Sequence, residues 1–261
     1  MKLKVIDKDS SLLRIEISET RPAFVNALRR TIMQKIPVLA IETVDFIDNT
    51  SALYDEILAH RLGLIPFSFD MKSYVAKDGC KCKGKGCSSC EVKFVLKKKG
   101  PCTVYAKDMK STDPDVKPAD GNVIIVKLLK DQSLDMEATA QIGTAREHAK
   151  WQSSIVGFNY FPTLKVDKKR LNEAKACVDA CPLGLITKDF KLKDPYSCNL
   201  CGSCSEACPK GAVTIEGDSS HIILCVESVS GLSPQDIIRK SLEILGNNIG
   251  EFEEAFKKQV K

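Results

Sequence analysis

The first eighteen residues, MKLKVIDKDSSLLRIEIS, alternate apolar and polar positions around a polar turn at Asp7–Ser11, which predicts two short strands. The period then lengthens. In TRPAFVNALRRTIMQKIPV, Phe24, Ala27, Leu28, Thr31, Ile32 and Ile36 recur three or four residues apart and predict an amphipathic helix. Thr20 suits its N-cap, Pro22 its first turn, and Pro37 stops it. Arg29 and Arg30 fall on the other face, either as a solvated flank or as a basic surface for a large partner. VLAIETVDFI predicts a strand and Asp48–Thr50 a turn. SALYDEILAHRLG predicts a second helix ending at Gly63 before Pro66, with His60 as a packing residue in its middle. VKFVLKKK, TVYAKD and NVIIVKLL read as strands, with Lys97–Lys99 as a solvated hairpin tip before Gly100-Pro101.

The longest apolar pattern closes the chain. In SPQDIIRKSLEILGNNIGEFEEAFKKQVK, Ser233 is an N-cap and Pro234 the first helical residue. Ile238, Leu242, Leu245, Ile249, Phe252, Phe256 and Val260 recur at steps of three and four, close to a heptad seam. Such a seam packs either inside its own chain or against another subunit. Gly246 and Gly250 weaken the helix somewhat. Strands and long helices share the chain, and the fold class expected is α+β.

Composition narrows this picture. With 261 residues, 43% hydrophobic and 28% charged, the chain has room for two or three folded domains. No stretch approaches the roughly 18 apolar residues of a membrane span. The alternating N-terminus is unlike a signal peptide, so a cytoplasmic location is expected. A net charge of +5 is mild, and direct nucleic-acid contact by this chain is not expected.

Cysteine changes the picture most. Of 12 cysteines, only Cys102 and Cys225 lie outside two groups with ligand-like spacing. In a reducing compartment such grouping points to metals before disulfides. Cys198, Cys201, Cys204 and Cys208 follow the C-x2-C-x2-C-x3-C-P run of bacterial ferredoxins. An internal repeat accompanies it: CVDACPLGLIT at Cys177 matches CSEACPKGAVT at Cys204. In two-cluster ferredoxins the fourth cysteine of each run ligates the cluster of the other half. Aligning the halves sets Leu171 against Cys198 and Ala174 against Cys201, so one site has lost two ligands. The surviving set is Cys181, Cys198, Cys201 and Cys204, which suits one 4Fe–4S cluster; losing one iron in air gives 3Fe–4S. Cys177 and Cys208 are left as a vestigial pair, as thiols or a disulfide. Zinc or disulfides on the same scaffold are the plainer alternative. With one of two clusters erased, a structural cross-link is favoured over electron relay.

The second group, Cys80, Cys82, Cys87 and Cys90, lies in KDGCKCKGKGCSSCEVK, where Gly79, Gly84 and Gly86 allow a tight loop. Four thiolates make a closed tetrahedral zinc site with no open position for a catalytic water. Lys77, Lys81, Lys83 and Lys85 offset its negative charge. Disulfides or free thiols are the alternative. Elsewhere no nucleophile–base pair, acidic metal site or nucleotide loop emerges. Gly143 lacks the companion glycines of a phosphate loop, so no catalytic residues are assigned.

Residues 24–67, FVNALRRTIMQKIPVLAIETVDFIDNTSALYDEILAHRLGLIPF, resemble the core of the alpha-like subunits of multisubunit RNA polymerases, and so does GTAREHAKW at 143–151. The resemblance covers nearly the whole chain, and the ferredoxin-like insertion is similar to that of the archaeal D-type subunits. It implies a non-catalytic assembly platform of DNA-dependent RNA polymerase. Residues 1–48 and 217–261 would form a discontinuous dimerisation domain, an antiparallel sheet with two long helices. Residues 49–165 would be an inserted second domain carrying the zinc loop, and 166–216 a ferredoxin-like domain. The implied partner is the smaller alpha-like subunit L, met through Phe24, Leu28, Ile32, Ile238, Leu242, Leu245, Ile249, Phe252 and Phe256. Small subunits N and P and the large catalytic subunits would dock as well. Eukaryotic members carry a zinc loop of similar spacing, and many relatives lack some cluster cysteines. The rival reading from another class is an iron–sulfur electron-transfer subunit of an oxidoreductase; redox sensing through the cluster or the Cys177/Cys208 pair is a third.

Overall fold

A computed structural model describes residues 1–167, 175–208 and 212–260. In chain order the elements are β1 (Lys2–Lys8), β2 (Leu12–Ser18), α1 (Pro22–Lys35), β3 (Val38–Asn49), α2 (Asp55–Gly63), β4 (Phe67–Ser68) and β5 (Glu91–Lys99). There follow β6 (Cys102–Tyr105), β7 (Lys110–Ser111), β8 (Lys117–Pro118), β9 (Ile124–Leu128), β10 (Ser133–Gly143) and β11 (Ser154–Val166). The last are α3 (Lys175–Asp179), α4 (Ser203–Glu206), β12 (Val213–Ser228) and α5 (Pro234–Gln259). The class is α+β with antiparallel strand pairs, as the resemblance implied. Among the described residues no helix is long and apolar enough to cross a membrane.

The chain divides into two compact units, Met1–Arg29 with Val156–Val226, and Arg30–Ile155 with Glu227–Lys261. In the first, a four-stranded sheet runs in the order β1-β2-β12-β11. Its apolar side presents Leu13 and Ile17 to the core together with Ile222 and Leu224 of β12, all buried. The Thr20 amide donates to the Ser220 carbonyl at 3.1 Å, which fixes the chain just before α1. Of the expected stripe of α1, Leu28, Thr31 and Ile32, with Ile36 just beyond the helix, are buried and are joined by Val25, whereas Phe24 stays 38% exposed and Ala27 is exposed. The expected stripe omitted Val25, although it stands three residues before Leu28 and seven before Ile32, on the same face.

The second unit is organised by the sheet β3-β10-β5-β7. β10 lies at its centre, antiparallel to both β3 and β5. Leu134, Met136, Ala138 and Ala140 alternate inward from it against Val92, Phe94 and Leu96 of β5, and all are buried. Phe67 lies against Phe94 with ring centroids 4.7 Å apart. Leu58 and Leu62 of α2 are fully buried. That helix begins at Asp55 and not at Ser51, for a local reason: Asn49 and Ser51 spend their side chains on the connecting turn. Asn49 Nδ2 donates to the Leu53 carbonyl at 2.9 Å, and the Leu53 amide donates to Ser51 Oγ at 3.2 Å.

Two further expectations are corrected. Lys97–Lys99 end β5 and form no hairpin tip, because β5 pairs with β10 whereas β6 pairs with β9. Lys97 is ion-paired with Asp135, and Lys98 with Asp108 at 2.7 Å. His60 is exposed instead of packed.

Candidate metal centres

The Cys80–Cys90 loop opens after a single 3-10 turn, Lys77–Gly79. Its backbone folds on itself: Lys83 N–H donates to the Cys80 carbonyl at 3.0 Å, Lys85 N–H to that of Cys82 at 3.2 Å, and Glu91 N–H to that of Cys87 at 2.9 Å. Gly84 and Gly86 take φ of 80° and 85°, the left-handed region that glycine enters without strain. The result gathers four sulfurs, with Cys80 and Cys87 Sγ atoms 3.5 Å apart, Cys82 and Cys90 3.6 Å, and Cys87 and Cys90 3.8 Å. Zinc–sulfur bonds of about 2.3 Å in a tetrahedron place sulfurs about 3.8 Å apart. The residues therefore fit one tetrahedral ion. Among the described residues this is the one set of three or more potential ligands gathered within 4.8 Å.

Electrostatics favour the same use. Burial opposes ionisation of Cys82, yet hydrogen bonds from Cys80, Cys90 and the amides of Gly86 and Gly84 hold its thiol down to about 7. Burial pushes the Cys90 thiol up to about 12. Cys82 thus ionises more readily than an ordinary thiol, and a bound cation would favour loss of the protons from the set. The Cys87 amide points at Cys90 Sγ from 3.3 Å. Lys77 pairs with Glu91 at 2.6 Å beside the loop.

The ferredoxin-like segment builds a different chamber. Cys181, Cys198, Cys201 and Cys204 all line one pocket, whose other walls include Leu185, Ile186 and Ile215. Cys198 follows the 3-10 turn Pro195–Ser197. Gly202, at φ 83°, turns the chain into α4, which carries the buried Cys204. Burial, and then the charges of Cys181 and Cys198, push the Cys204 thiol up, while a hydrogen bond from Ser203 lowers that of Cys201. Four thiols on the wall of one apolar pocket fit an iron–sulfur cluster, which needs thiolate ligands standing further apart than around a single ion. Cys177 and Cys208 do not line this pocket. They form a disulfide, buried with Ala212 and Val213 and packed by Leu164, Val166 and Phe190. Leu171 and Ala174, aligned with Cys198 and Cys201, lie outside the described residues.

The segment Gly143–Trp151 serves the framework. A Cβ on Gly143 would stand 2.4 Å from the Trp151 ring, so only glycine lets the indole lie flat on the strand. Trp151 Nε1 donates to the Gln141 carbonyl at 3.2 Å. Lys150 Nζ lies 4.4 Å from the centre of that ring, donates to the Ile41 carbonyl at 3.1 Å, and is ion-paired with Glu42. His148 Nδ1 accepts from the Lys150 amide at 3.1 Å. These groups are committed to joining β10 to β3.

Of the apolar seam, Ile238 and Leu245 are half-buried. Leu242, Ile249, Phe252, Phe256 and Val260 are 47, 67, 72, 56 and 67% exposed. Leu28 and Ile32, expected at an interface, are buried within this chain. Sequence reasoning missed Tyr196, two residues before Cys198, whose hydroxyl meets Glu16, and His221, which meets the same carboxylate; their spacing carries no periodic signal.

Comparison with known proteins agrees with these features. A family model described as the RNA polymerase Rpb3/RpoA insert domain matches residues 41–167, and one described as a 4Fe-4S binding domain matches 192–214. Curated relatives named DNA-directed RNA polymerase subunit Rpo3 include that of Methanosphaera stadtmanae, 33% identical over 94% of both chains. The Thermoplasma volcanium relative is 34% identical over 96% of this chain and 97% of its own. That of Methanopyrus kandleri is 42% identical over 65% of this chain and 62% of its own.

Proposed function

Since the chain belongs to the Rpo3 family of DNA-directed RNA polymerase subunits, we propose that it is the non-catalytic platform on which that polymerase assembles in the cytoplasm. The observation that carries this reading is the outer half of α5. From Ile249 to Val260 every residue is exposed, yet every third or fourth one is large and apolar. A helix that placed these groups in water for no partner would lose the hydrophobic stabilisation that long helices depend on. The proposed partner is the smaller alpha-like subunit L, met through Leu242, Ile249, Phe252 and Phe256 of α5 and, separately, through the exposed Phe24 of α1. Subunits N and P and the large catalytic subunits dock on the remaining surfaces.

By role, residues 1–48 and 217–261 are the dimerisation domain, 49–165 the inserted second domain, and 166–216 the ferredoxin-like domain. The contact-based units cut the chain differently because β11 and β12 hydrogen-bond in the sheet of β1 and β2. Both metals are structural in this account. Zinc is held by Cys80, Cys82, Cys87 and Cys90, a closed set that leaves no position for substrate. One 4Fe–4S cluster is held by Cys181, Cys198, Cys201 and Cys204. The disulfide at Cys177 and Cys208 occupies the place of a second cluster, which removes the short relay an electron carrier uses. Purification of the native chain with identification of bound chains and metals tests this. Polymerase subunits, about one zinc and about three to four irons per chain are expected; an oxidoreductase partner set overturns the reading.

A further inference from the structure

The loop that enters the cluster pocket is held by one residue that the cysteine pattern does not include. Tyr196 lies two positions before Cys198, in the turn Pro195–Ser197. Asp194 caps that turn, accepting from the Tyr196 amide at 2.9 Å and from Ser197 Oγ at 2.5 Å. The Tyr196 hydroxyl donates to Glu16 Oε2 at 2.5 Å and accepts from Lys4 Nζ at 3.0 Å. The Arg14 guanidinium donates to the Tyr196 carbonyl at 2.8 Å. Glu16 Oε1 meets His221 Nε2 at 2.7 Å. The His221 ring stacks on Phe161 with centroids 4.0 Å apart, and Phe161 stands edge-on to Tyr196 at 5.9 Å.

These partners come from all four strands of the sheet: Lys4 from β1, Arg14 and Glu16 from β2, His221 from β12 and Phe161 from β11. Lys4 and Glu16 are cross-strand neighbours. The carboxylate is only 17% exposed and the imidazole 22%, so these hydrogen bonds are shielded and worth more than solvated ones. The Tyr196 hydrogen bond holds the Glu16 carboxyl below its usual range, the mark of a charge-assisted bond.

We propose that Tyr196 is the positioning residue of the iron–sulfur site: it clamps the Pro195–Cys198 loop to the polar side of the sheet, so that Cys198 is presented to the cluster and cluster loss requires the clamp to open. This rests on the reading that the pocket holds a cluster. Coupling is reciprocal: a bound cluster, by holding Cys198, tightens β2 and β12 through Tyr196.

The test uses the full chain, reconstituted anaerobically with iron and sulfide, as the parent and as Tyr196→Phe, Glu16→Gln and Lys165→Ala. The last is a control that breaks the exposed Lys165–Glu216 pair on the same sheet. Iron per chain, bleaching of visible absorbance under excess ferrous chelator, and amide exchange in β2 and β12 with and without the cluster are measured. Tyr196→Phe is expected to take up full iron yet bleach roughly tenfold faster, the loss of about one charge-assisted hydrogen bond. Glu16→Gln, which keeps an acceptor, falls between it and the parent, and Lys165→Ala matches the parent. Cluster loading slows exchange in β2 and β12 of the parent but not of Tyr196→Phe, a difference that mere loss of stability does not produce. Equal bleaching in parent, Tyr196→Phe and Glu16→Gln overturns the clamp, and if Tyr196→Phe does not fold, unchanged bleaching of Glu16→Gln does so alone. A parent that binds no iron overturns instead the cluster reading beneath it.

Discussion

Single residues decide which of the cysteines belong together. Cys208 completes the ferredoxin-type run in sequence, yet it is bonded to Cys177, while Cys181 shares the pocket of Cys198, Cys201 and Cys204. Cys181→Ser should therefore degrade the cluster, and Cys208→Ser should retain it; iron content and visible absorbance of the two variants measure this, and equal loss contradicts the assignment. Another residue-scale prediction concerns pH. A hydrogen bond from Tyr74 holds the Asp113 carboxyl below its ordinary value of 3.8. Burial, and then Asp113, raise the Tyr74 phenol. The depressed carboxyl contributes stability that is complete above its unfolded value and lost as pH falls through its native one. The raised phenol contributes stability that is lost as pH climbs through its native value. Tyr74→Phe should flatten the acid limb below about pH 4 in a thermal-midpoint profile. An unchanged acid limb would show the pair to be incidental. The grouping of the cysteines was legible from sequence because metal chemistry demands fixed residue types at short spacing. Tyr196 was not, because its partners Lys4, Glu16 and His221 come from distant strands.

Among the elements, legibility follows how clean the period is. α5 was read to its cap: Ser233 Oγ accepts from the Asp236 amide, with Pro234 in the first turn. α1 was placed correctly and Leu28, Thr31, Ile32 and Ile36 of its expected stripe are buried, but Phe24 and Ala27 near its start are exposed and Val25 packs in their stead. β10 was not legible although Leu134, Met136, Ala138, Ala140 and Ile142 alternate cleanly, because two of the five are alanines and make a weak apolar signal. The helix start at Asp55 was hidden by side-chain bonds of Asn49 and Ser51 that compete with the helix. Gly143 shows an element-level constraint that no local rule states. Gly143→Ala should cost roughly 1–3 kcal/mol in chemical denaturation, because its methyl group would displace Trp151 and strain the end of β10. A cost near zero would mean that the indole is free to shift.

On the scale of the whole molecule, two groups of four cysteines placed to bind metal, a disulfide and an uncovered apolar helix serve one proposed role. Thiol ligands cross-link segments too short to build large cores of their own. The two cysteine groups lie in different compact units, so in the proposed function each unit has its own metal staple. The mild net charge of +5 and the seam on α5 point toward protein partners instead of nucleic acid. What sequence supplied here was the ligand spacing and the heptad-like period. What it left open was which half of the seam the chain itself covers, and Ile249 and Phe252 prove to be uncovered.

The most direct measurement is the mass of the complex formed when this chain is co-expressed with the smaller alpha-like subunit L, as the parent and as Ile249→Asp and Phe252→Asp. Both positions are exposed, so each variant should unfold within about 0.5 kcal/mol of the parent. The account predicts a one-to-one heterodimer for the parent and separate monomers for both variants. A parent that stays monomeric, or variants that pair as well as the parent, would contradict it.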